Sequence, residues 1–577
     1  MTYDLIIPQP MPADGMRTLT PREAMQRARA MACIRDKDHA QCQGQVYVSL
    51  FFDGTGNNKD WNQPGLGMTQ TAANKHSNVA RLYNAAIDEP GNGFFIEYIP
   101  GIGTPFKEIG DGGGDRGMAA GYMGADRINW GITRVFNSVH YYLTNALLFD
   151  DAMAKTIVNN ASTSTGTLPL ENPHRRMVLN HWEAKLAEVV QSSQRKLTQI
   201  NLAVFGFSRG AACARAFANW LFELTAQDEG GYALAGVPLR VSFMGLFDTV
   251  ASVGAPDAIP GFNGHMAWAD GNMGISPAVE QCVHYIALHE QRASFPLEMA
   301  AGVKQVAYPG MHSDVGGGYR PGEQGKAMPA WGASPQLSQI PLIDMHHAAI
   351  VAGVPLHSSD EIKQLPFLAK DFDCTPALAK AANDFHRGCG ILSQSSGEEP
   401  VLSMVHMHVR QYLQWRRGLV RGINPLSIRR FYKEARQGSD KQQLDEGLTD
   451  FDQHMAALRQ RRIHGSNLTN AVSLLADPVG TAVQRLAFDD PMQPLSYDEE
   501  AMLKAMESPV DLPQVVTTLM DEYIHDSRCA FRVKGMMEPR RLDHGYFAYR
   551  RTFQHGVEDV GVLPAPQQPV RLSTPSA

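Results

Sequence analysis

The chain has 577 residues, of which 44% are hydrophobic and 19% charged, and its formal net charge at pH 7 is −7. This length favours two or three domains, and the apolar content is sufficient for a large globular core. The negative balance and the lack of a dense Lys/Arg run argue against general nucleic-acid binding.

The seven cysteines are scattered, odd in number and without C-x-x-C spacing. This pattern predicts neither a zinc site nor a disulfide framework, and it favours folding in a reducing cytosol. The first residues lack the basic-then-apolar pattern of a signal peptide, and no run of about 18 apolar residues occurs. We therefore expect synthesis in the cytoplasm without a cleavable signal or a spanning helix.

The N-terminal part is predicted to form an arm over residues 1–44, with a helix from Thr20 to about Ile34 that begins in a capping-box pattern. A buried strand over 46–52 then leads into a tight Gly-rich loop, Asp53-Gly54-Thr55-Gly56. Residues 94–99 are predicted to form the next strand. The Gly-rich region 101–131 predicts a mobile loop or lid, and the polar stretch 151–173 predicts an exposed insertion.

Residues 200–224 have a strand–turn–helix pattern around Gly206-Phe207-Ser208-Arg209-Gly210. In a G-x-S-x-G turn of this kind the serine has a strained backbone, and a Cβ at Gly206 or Gly210 would collide with the neighbouring strand or helix. The serine oxygen is then exposed at the carboxyl end of a sheet, beside the free N–H groups of the helix. The bare pattern is weak because glycine is abundant, but its context predicts that Ser208 is a nucleophile.

The alternation of strands and helices around this turn predicts a parallel sheet. A helix over 173–195 precedes the turn, strands follow at 241–247 and 304–308, and residues 283–287 fit either a strand or a helix. This order predicts an α/β fold, with a mostly parallel, α/β-hydrolase-like sheet flanked by helices.

Strand signals become rare after about residue 335, and the rest is predicted to be an appended, largely helical module. The predicted organisation is an arm at 1–44, a catalytic domain at 45–335, a membrane-contacting helical module at 336–515, and a C-terminal part at 516–577. Within the last part, 545–553 alternates like a strand that returns to the first domain, and a disordered tail begins at Leu563. Predicted helices lie at 342–351, 376–387, 405–417, 426–436, 439–462 and 512–525.

Basic residues are concentrated in the helical region, and they are either an ordinary solvated helix face or a surface for anionic lipid headgroups. They are Arg410, Arg416, Arg417, Arg421, Arg429, Arg430, Lys433 and Arg436.

A serine nucleophile needs a histidine base, and that histidine needs a carboxylate to orient it. In α/β-hydrolases the acid and then the histidine follow the serine, each beyond the carboxyl end of a strand. Asp248 follows the 241–247 strand, and His312 follows the 304–308 strand. The order predicts Ser208, Asp248 and His312 as catalytic residues, with no metal and no cofactor required.

Position alone leaves two of these assignments open. Asp248 could cap a helix or stabilise a turn, and Asp257 and Asp314 are alternative acids. Asp314 is better suited to bind local backbone N–H groups because it lies two residues from His312. His312 could also be an ordinary loop histidine, one of 20 in the chain.

The oxyanion of an acyl-transfer reaction needs backbone N–H donors. The N–H of Arg209 is the natural first donor, and the Gly54-Thr55 loop is predicted to supply the second. The Arg209 side chain itself is expected in a salt bridge. An alternative for Asp53-Gly54-Thr55-Gly56 is a phosphate-binding loop of a nucleotide enzyme, although no G-x-x-x-x-G-K-[ST] pattern accompanies it.

Four sequence blocks, in this order, resemble the bacterial type VI secretion phospholipase effectors that carry a G-x-S-x-G signature. The resemblance covers about residues 45–320, and residues 525–527 and 545–546 resemble further family positions. The blocks are Phe52-Asp53-Gly54-Thr55-Gly56-Asn57, Gly206-Phe207-Ser208-Arg209-Gly210, Leu246-Phe247-Asp248-Thr249-Val250-Ala251-Ser252-Val253-Gly254 and Gly310-Met311-His312-Ser313-Asp314-Val315-Gly316-Gly317-Gly318-Tyr319.

The resemblance implies an α/β-hydrolase domain that hydrolyses acyl esters of glycerophospholipids in a rival cell's envelope. By position it implies Ser208 as nucleophile, Asp248 as orienting acid and His312 as general base. It also implies delivery on a VgrG-type spike, directly or through an adaptor, to the target cell's periplasm or membrane, and neutralisation by a periplasmic immunity lipoprotein. One departure is Ala307-Tyr308, where family members often have a Trp-Phe pair. We expect altered pocket packing there and no loss of chemistry.

Two other functions fit the same sequence. A soluble carboxylesterase or thioesterase would use the same three residues without a lidded apolar groove or a membrane-adsorbing helix face. A non-catalytic, spike-carried protein that binds the envelope would require that the site had decayed.

Overall fold

The computed structural model describes residues 5–35, 43–62, 75–162, 171–228, 231–254, 264–328, 335–389, 400–420, 425–436, 438–465, 494–507, 511–533, 536–538, 545–554 and 557–558. The strands are β1 Leu5–Ile6, β2 Gln43–Phe52, β3 Phe94–Ile99, β4 Lys196–Phe207, β5 Ala226–Asp228, β6 Gly231–Leu234, β7 Val237–Phe247, β8 Cys282–Ala287, β9 Leu297–Met299, β10 Lys304–Tyr308, β11 Arg532–Val533, β12 Met536–Met537, β13 Thr552–Gln554 and β14 Val557–Glu558.

Helices lie on both faces of the main sheet, and most of the chain after β10, the last strand of that sheet, is also helical. They are α1 Pro21–Arg35, α2 Asn78–Asn84, α3 Asp115–Ala120, α4 Gly124–Thr144, α5 Asp151–Ala161, α6 Glu171–Ser192, α7 Arg209–Phe222, α8 His312–Gly316, α9 Gln339–Val351, α10 Ser359–Gln364, α11 Pro366–Ala369, α12 Pro376–Gly388, α13 Pro400–Val420, α14 Arg430–Glu434, α15 Ser439–His464, α16 Tyr497–Glu507, α17 Gln514–Glu522 and α18 Ser527–Ala530.

The main sheet has the strand order β1-β10-β8-β7-β4-β2-β3, and these neighbours are all parallel. The only antiparallel pairs in the described part of this sheet involve the short β5 and β6. The central strands are apolar on both faces. In β4, Leu202 and Val204 enter one core, while Ala203 and Phe205 enter the other. A strand that is covered on both faces has a continuous run of apolar residues in its sequence. The parallel sheet with helices on both faces confirms the predicted α/β class.

The N-terminal arm is part of the sheet. β1 pairs with β10, with Leu5 opposite Gln305, and so forms one edge of the sheet. The predicted capping box is present at the start of α1, where the Thr20 N–H donates to the Glu23 carboxylate at 2.8 Å. The predicted boundary at residue 44 therefore divides two segments that both contribute strands to the main sheet.

The sequence predicted a mobile loop or lid over the Gly-rich region 101–131, and the structure differs from this prediction. Its second half enters α4, which is buried along most of its length. A Cβ at Gly124 would lie 2.3 Å from the Trp268 ring, and one at Gly131 would lie 3.1 Å from Phe52. These glycines allow close packing of a helix rather than mobility. The stretch 151–173 was predicted to be an exposed insertion, but its first part forms α5, which buries Ile157 and Val158 in the core. Residues 163–170 lie outside the described residues.

The predicted boundary at 335 crosses a continuous core. α9 packs on the sheet, where Met345 fills the space left by Gly245 in β7. The same apolar cluster continues into the later helices through residues such as Leu413 and Phe451. The helical region thus shares its core with the sheet. No helix of the described residues is long and apolar enough to cross a membrane.

Five of the eight basic residues that left a solvated helix face and a lipid-binding surface as alternatives are bonded to other residues of the protein. Arg416 is buried in a salt bridge with Asp526, Arg429 pairs with Asp521 at 2.7 Å, and the Arg410 guanidinium donates to the Tyr549 hydroxyl at 2.9 Å. Arg430 and Arg436 each form an ion pair with an acidic residue four positions later in the chain. Arg421 lies outside the described residues.

Candidate active site

The G-x-S-x-G turn has the geometry of a nucleophile elbow. β4 ends at Phe207, α7 begins at Arg209, and Ser208 between them has φ 59° and ψ −129°. A non-glycine residue in this region costs about 1–3 kcal/mol, so the surrounding structure must hold it there. The Ser208 N–H donates to the Phe247 carbonyl at 3.0 Å, and the Ser208 carbonyl accepts from Val250 at 3.2 Å.

Both elbow glycines are positions where the chain comes very close to its neighbours. A Cβ at Gly206 would lie 2.5 Å from the Ala211 Cα. A Cβ at Gly210 would lie 2.3 Å from the carbonyl oxygens of both Phe52 and Asp53. The structure therefore places α7 directly against the end of β2, which brings the Asp53-Gly54-Thr55 loop beside the elbow.

Gly210→Ala is expected to destabilise the protein by about 3 kcal/mol or more, because two backbone carbonyls cannot move aside as a side chain could. The melting temperature of the variant, followed by circular dichroism, measures this effect. Gly418→Ala is the matched control, since a Cβ at Gly418 in α13 meets nothing within 4 Å. That change should be neutral or slightly stabilising. Equal melting temperatures for the two variants would contradict the close approach at the elbow.

Asp248 follows β7 and has φ 41°, another backbone held in the left-handed region. Its carboxylate is fully buried and accepts four hydrogen bonds. Oδ2 lies 2.5 Å from His312 Nδ1, and Oδ1 accepts from the Ala287 N–H at 2.8 Å. The Arg550 guanidinium donates to both oxygens, at 2.7 and 2.8 Å. The carboxylate is therefore fixed by partners from the sheet and from the C-terminal part of the chain.

His312 is the first residue of the short helix α8, just beyond β10. Its backbone N–H donates to Glu290 Oε2 at 3.1 Å. Its ring packs against Phe207, with centroids 4.6 Å apart, and meets the edge of Phe295 at 5.0 Å. Phe207 precedes Ser208, so this contact holds the imidazole at the elbow. Because Nδ1 faces Asp248, Nε2 is the nitrogen left to accept a proton from a nucleophile.

Charges around the pair favour an ionised acid and a neutral base. Burial by itself would raise the pKa of the Asp248 carboxyl, but the Arg550 guanidinium and the His312 hydrogen bond hold that pKa well below its ordinary value. Burial lowers the pKa of His312, and Asp248 offsets this only in part. Near neutral pH the imidazole is therefore uncharged and able to accept a proton.

The Gly54-Thr55 loop was predicted to supply the second oxyanion donor, but the Gly54 N–H is not free for that role. The Gly54 N–H donates to Asp53 Oδ1 at 2.7 Å, so it is already engaged. Thr55 does lie at the elbow, because its hydroxyl accepts from Arg209 Nε at 2.8 Å. Arg209 was predicted to form a salt bridge. Its guanidinium instead bonds to Thr55 and to the carbonyls of Gly117 and Met118, and burial lowers its pKa to about 10.

The Asp53 carboxylate does not match the nucleotide-site alternative. It is buried and accepts from the Ser77 and Tyr98 hydroxyls, each at 2.5 Å, as well as from Gly54. These neutral donors occupy the carboxylate oxygens that would bind the metal ion of a nucleotide site. Among the described residues, no group of three or more His, Cys, Asp or Glu side chains is arranged to hold a metal ion.

Of the two alternative acids, Asp314 is bonded to partners other than the His312 ring. Asp314 accepts from the Met311 N–H at 2.9 Å, the local backbone bond that the sequence favoured, and it also pairs with His525 at 2.6 Å. Asp257 lies outside the described residues.

Two residues beside the site gave no signal in the sequence. Arg550 lies in the segment predicted to return to the sheet, but nothing in the segment marks an arginine as a partner of Asp248. Glu290 is buried, binds the His312 backbone, and is paired with Arg292 at 2.9 Å. Although burial raises the pKa of Glu290, Arg292 brings it down to about 2. Both are visible only once the chain is folded.

Comparison with known proteins gives one family match. Residues 226–348 match the family model described as "T6SS, Phospholipase effector Tle1-like, catalytic domain". The resemblance seen in the sequence is confirmed for this segment. The matched segment contains Asp248 and His312, whereas Ser208 and the Gly54-Thr55 loop precede it.

Two solved structures extend the comparison. The crystal structure of an uncharacterized protein from Pseudomonas aeruginosa covers 96% of this chain and 85% of its own, with a TM-score of 0.71 and 24% identity. At this identity the likeness establishes a shared fold. The Tle1 effector bound to the VgrG spike from the type VI secretion system covers 48% of this chain and 52% of its own, with 22% identity and a TM-score of 0.25. A search of curated proteins found no match.

Proposed function

We propose that this protein is an antibacterial phospholipase that hydrolyses acyl ester bonds of membrane glycerophospholipids through Ser208, Asp248 and His312. The observation that carries the proposal is the 2.5 Å bond between Asp248 and His312, held beside a serine in the elbow conformation. The family match over residues 226–348 supports phospholipid as the substrate class.

In the first half of the reaction, His312 Nε2 takes the Ser208 proton as Ser208 Oγ attacks the ester carbonyl carbon. The imidazolium that forms is stabilised by Asp248. The tetrahedral intermediate then collapses, and the leaving alkoxide takes the proton from His312 and departs as a lysophospholipid. Ser208 is left as an acyl ester.

In the second half, His312 takes a proton from water, and the resulting hydroxide attacks the acyl ester carbonyl. Collapse of this second intermediate returns the proton to Ser208 and releases the fatty acid. In both halves the negative oxygen needs backbone donors. We assign the Arg209 N–H, at the start of α7, as the first donor. The Thr55 N–H is preferred over that of Gly54 as the second, since Gly54 is bound to Asp53.

The proposal extends to delivery. A Tle1-like catalytic segment is that of a type VI effector, so we propose cytoplasmic synthesis, loading on a VgrG-type spike or an adaptor, and action in the target cell's periplasm or membrane. A periplasmic immunity lipoprotein would protect the producer. The region 336–515 is the proposed contact with membrane or spike. Four of its described arginines, Arg416, Arg429, Arg430 and Arg436, are paired with acidic residues of the protein itself.

Fatty-acid release from phosphatidylethanolamine–phosphatidylglycerol vesicles tests the substrate class. The wild type should hydrolyse vesicle lipid with a kcat/KM at least about tenfold above that for a short soluble ester, because long acyl chains bury more apolar surface on binding. Ser208→Ala serves as the blank, and lipids labelled at one acyl position identify the ester that is cut. Hydrolysis of the short ester alone would favour a soluble esterase, and no hydrolysis of either would contradict an enzymatic role.

A further inference from the structure

Residues 545–554 form a segment that we call the C-terminal strap, which runs from the helical region to the candidate active site. Near its start, the backbone carbonyl of Tyr546 accepts from Gln291 at 2.9 Å. The ring of Tyr549 then stacks on His406 of α13, with centroids 3.6 Å apart. The strap ends in β13, which pairs in parallel with β9. Arg550 is thus held between two anchored points.

The Arg550 side chain is 2% exposed, and all three nitrogens of its guanidinium donate hydrogen bonds. Two parallel bonds of 2.7 and 2.8 Å join it to the two oxygens of Asp248, and its Nε donates to the Phe295 carbonyl at 2.7 Å. A planar guanidinium that binds a carboxylate through two bonds fixes the carboxylate's rotation as well as its position. The third bond fixes the guanidinium itself.

We propose that Arg550 is a positioning residue of the catalytic site, which locks the rotamer of Asp248 toward His312 and limits how strongly the acid stabilises the imidazolium. The inference rests on the proposed role of His312 as general base. It adds a fourth side chain to the site, supplied by a segment that lies outside the residues matched by the family model.

Four charged groups face His312 from three elements. Asp248 at the end of β7 and Glu290 beyond β8 favour the imidazolium, whereas Arg292 beyond β8 and Arg550 on the strap oppose it. Each carboxylate is matched by one guanidinium, Asp248 by Arg550 and Glu290 by Arg292. Removing Arg550 therefore leaves an excess of one negative charge around the imidazole.

Loss of Arg550 should raise the pH at which activity is lost on the acid side. Catalysis needs neutral His312, and its pKa is lowered mainly by burial, with Arg550 among the groups that lower it further. Without Arg550 the pKa of His312 rises, so the fall of activity on the acid side begins at a higher pH. Asp248 stays ionised near neutrality because His312 and the Ala287 N–H still bind it.

The test compares Arg550→Met, Arg550→Lys and the wild type in full-length protein. The pH dependence of kcat/KM is measured with a neutral short ester, and the His312 titration is followed by NMR of histidine labelled at Cε1, assigned with His312→Gln. For Arg550→Met we expect the acid limb and the His312 pKa to rise by about one unit. The rate on the plateau should fall about tenfold or more because Asp248 is no longer oriented.

Arg550→Lys separates charge from geometry. A lysine keeps the positive charge but cannot form the two-bonded fork, so the acid limb should stay near that of the wild type while the plateau still falls. Arg551→Met is the matched control in the same strap, where the guanidinium lies over the Phe553 ring at 5.3 Å from its centroid. Both quantities should be unchanged in that variant.

An Arg550→Met variant with the wild-type His312 pKa and plateau would overturn the proposal. If that variant does not fold, as judged by circular dichroism, a wild-type plateau for Arg550→Lys would overturn the orienting role. The NMR titration needs no turnover. An inactive wild type whose His312 pKa still rises in Arg550→Met would contradict the proposed function and leave the placement of Arg550 intact.

Discussion

Ser208→Ala is expected to lower kcat on phospholipid vesicles by about four to six orders of magnitude. The acyl-enzyme cannot form without the hydroxyl, and the remaining rate would come from the oxyanion donors and substrate binding alone. The fold should be unaffected, because the Ser208 side chain does not cap α7 and alanine meets the same backbone strain at φ 59°. Initial rates and melting temperatures of the two proteins measure both effects.

The matched control for this change is Ser242→Ala. Ser242 lies in the neighbouring strand β7, is partly buried, and donates to the Leu202 carbonyl at 3.1 Å. That variant should retain the wild-type rate. Vesicle hydrolysis that persists in Ser208→Ala would show that the elbow serine is not the nucleophile, whatever the melting temperatures.

Asp248→Asn is expected to lower kcat about 10⁴-fold and also to destabilise the fold by about 3–5 kcal/mol. The rate falls because an amide can stabilise the wrong tautomer of His312 and cannot balance the imidazolium charge. The fold is weakened because the buried Arg550 guanidinium loses its counter-charge. Ser208→Ala should show the first effect without the second, and this contrast separates the acid from the nucleophile.

The control for Asp248→Asn is Glu499→Gln. The Glu499 carboxylate forms a two-bonded pair with Arg461 at 2.8 and 2.9 Å, and both side chains are 3% exposed. Its loss should lower the melting temperature to a similar extent, with kcat retained at a temperature where the variant is folded. Wild-type activity in Asp248→Asn would identify a different acid.

The parts of the fold that the sequence predicted well are those defined by local patterns. β10 has the predicted bounds of 304–308, and the predicted strands that end at Phe52, Ile99 and Phe247 end there in the structure. Fully buried strands of a parallel sheet are continuous apolar runs, and a Gly-rich or acidic turn marks each carboxyl end. For the same reason the sequence could place Ser208, Asp248 and His312 at one edge.

The sequence-based predictions were wrong where a residue's partner is distant in the sequence, or where the local composition is typical of a different structure. Gly124 and Gly131 suggested a loose loop, yet each makes room for an aromatic ring against a helix. The charge of Arg416 suggested an exposed face, but its partner Asp526 lies 110 residues later. Arg550 is the extreme case, because no local pattern couples it to an aspartate 302 residues earlier.

The 302-residue separation between Asp248 and Arg550 also has a consequence for synthesis. A ribosome releases the chain from its N-terminus, and domains begin to fold before translation ends. A nascent chain that has emerged as far as residue 320 already contains Ser208, Asp248 and His312, but not the arginine that fixes the acid. Prematurely terminated products would lack it permanently. Under the proposed role of Arg550, full hydrolytic activity would therefore require a polypeptide that extends past residue 550.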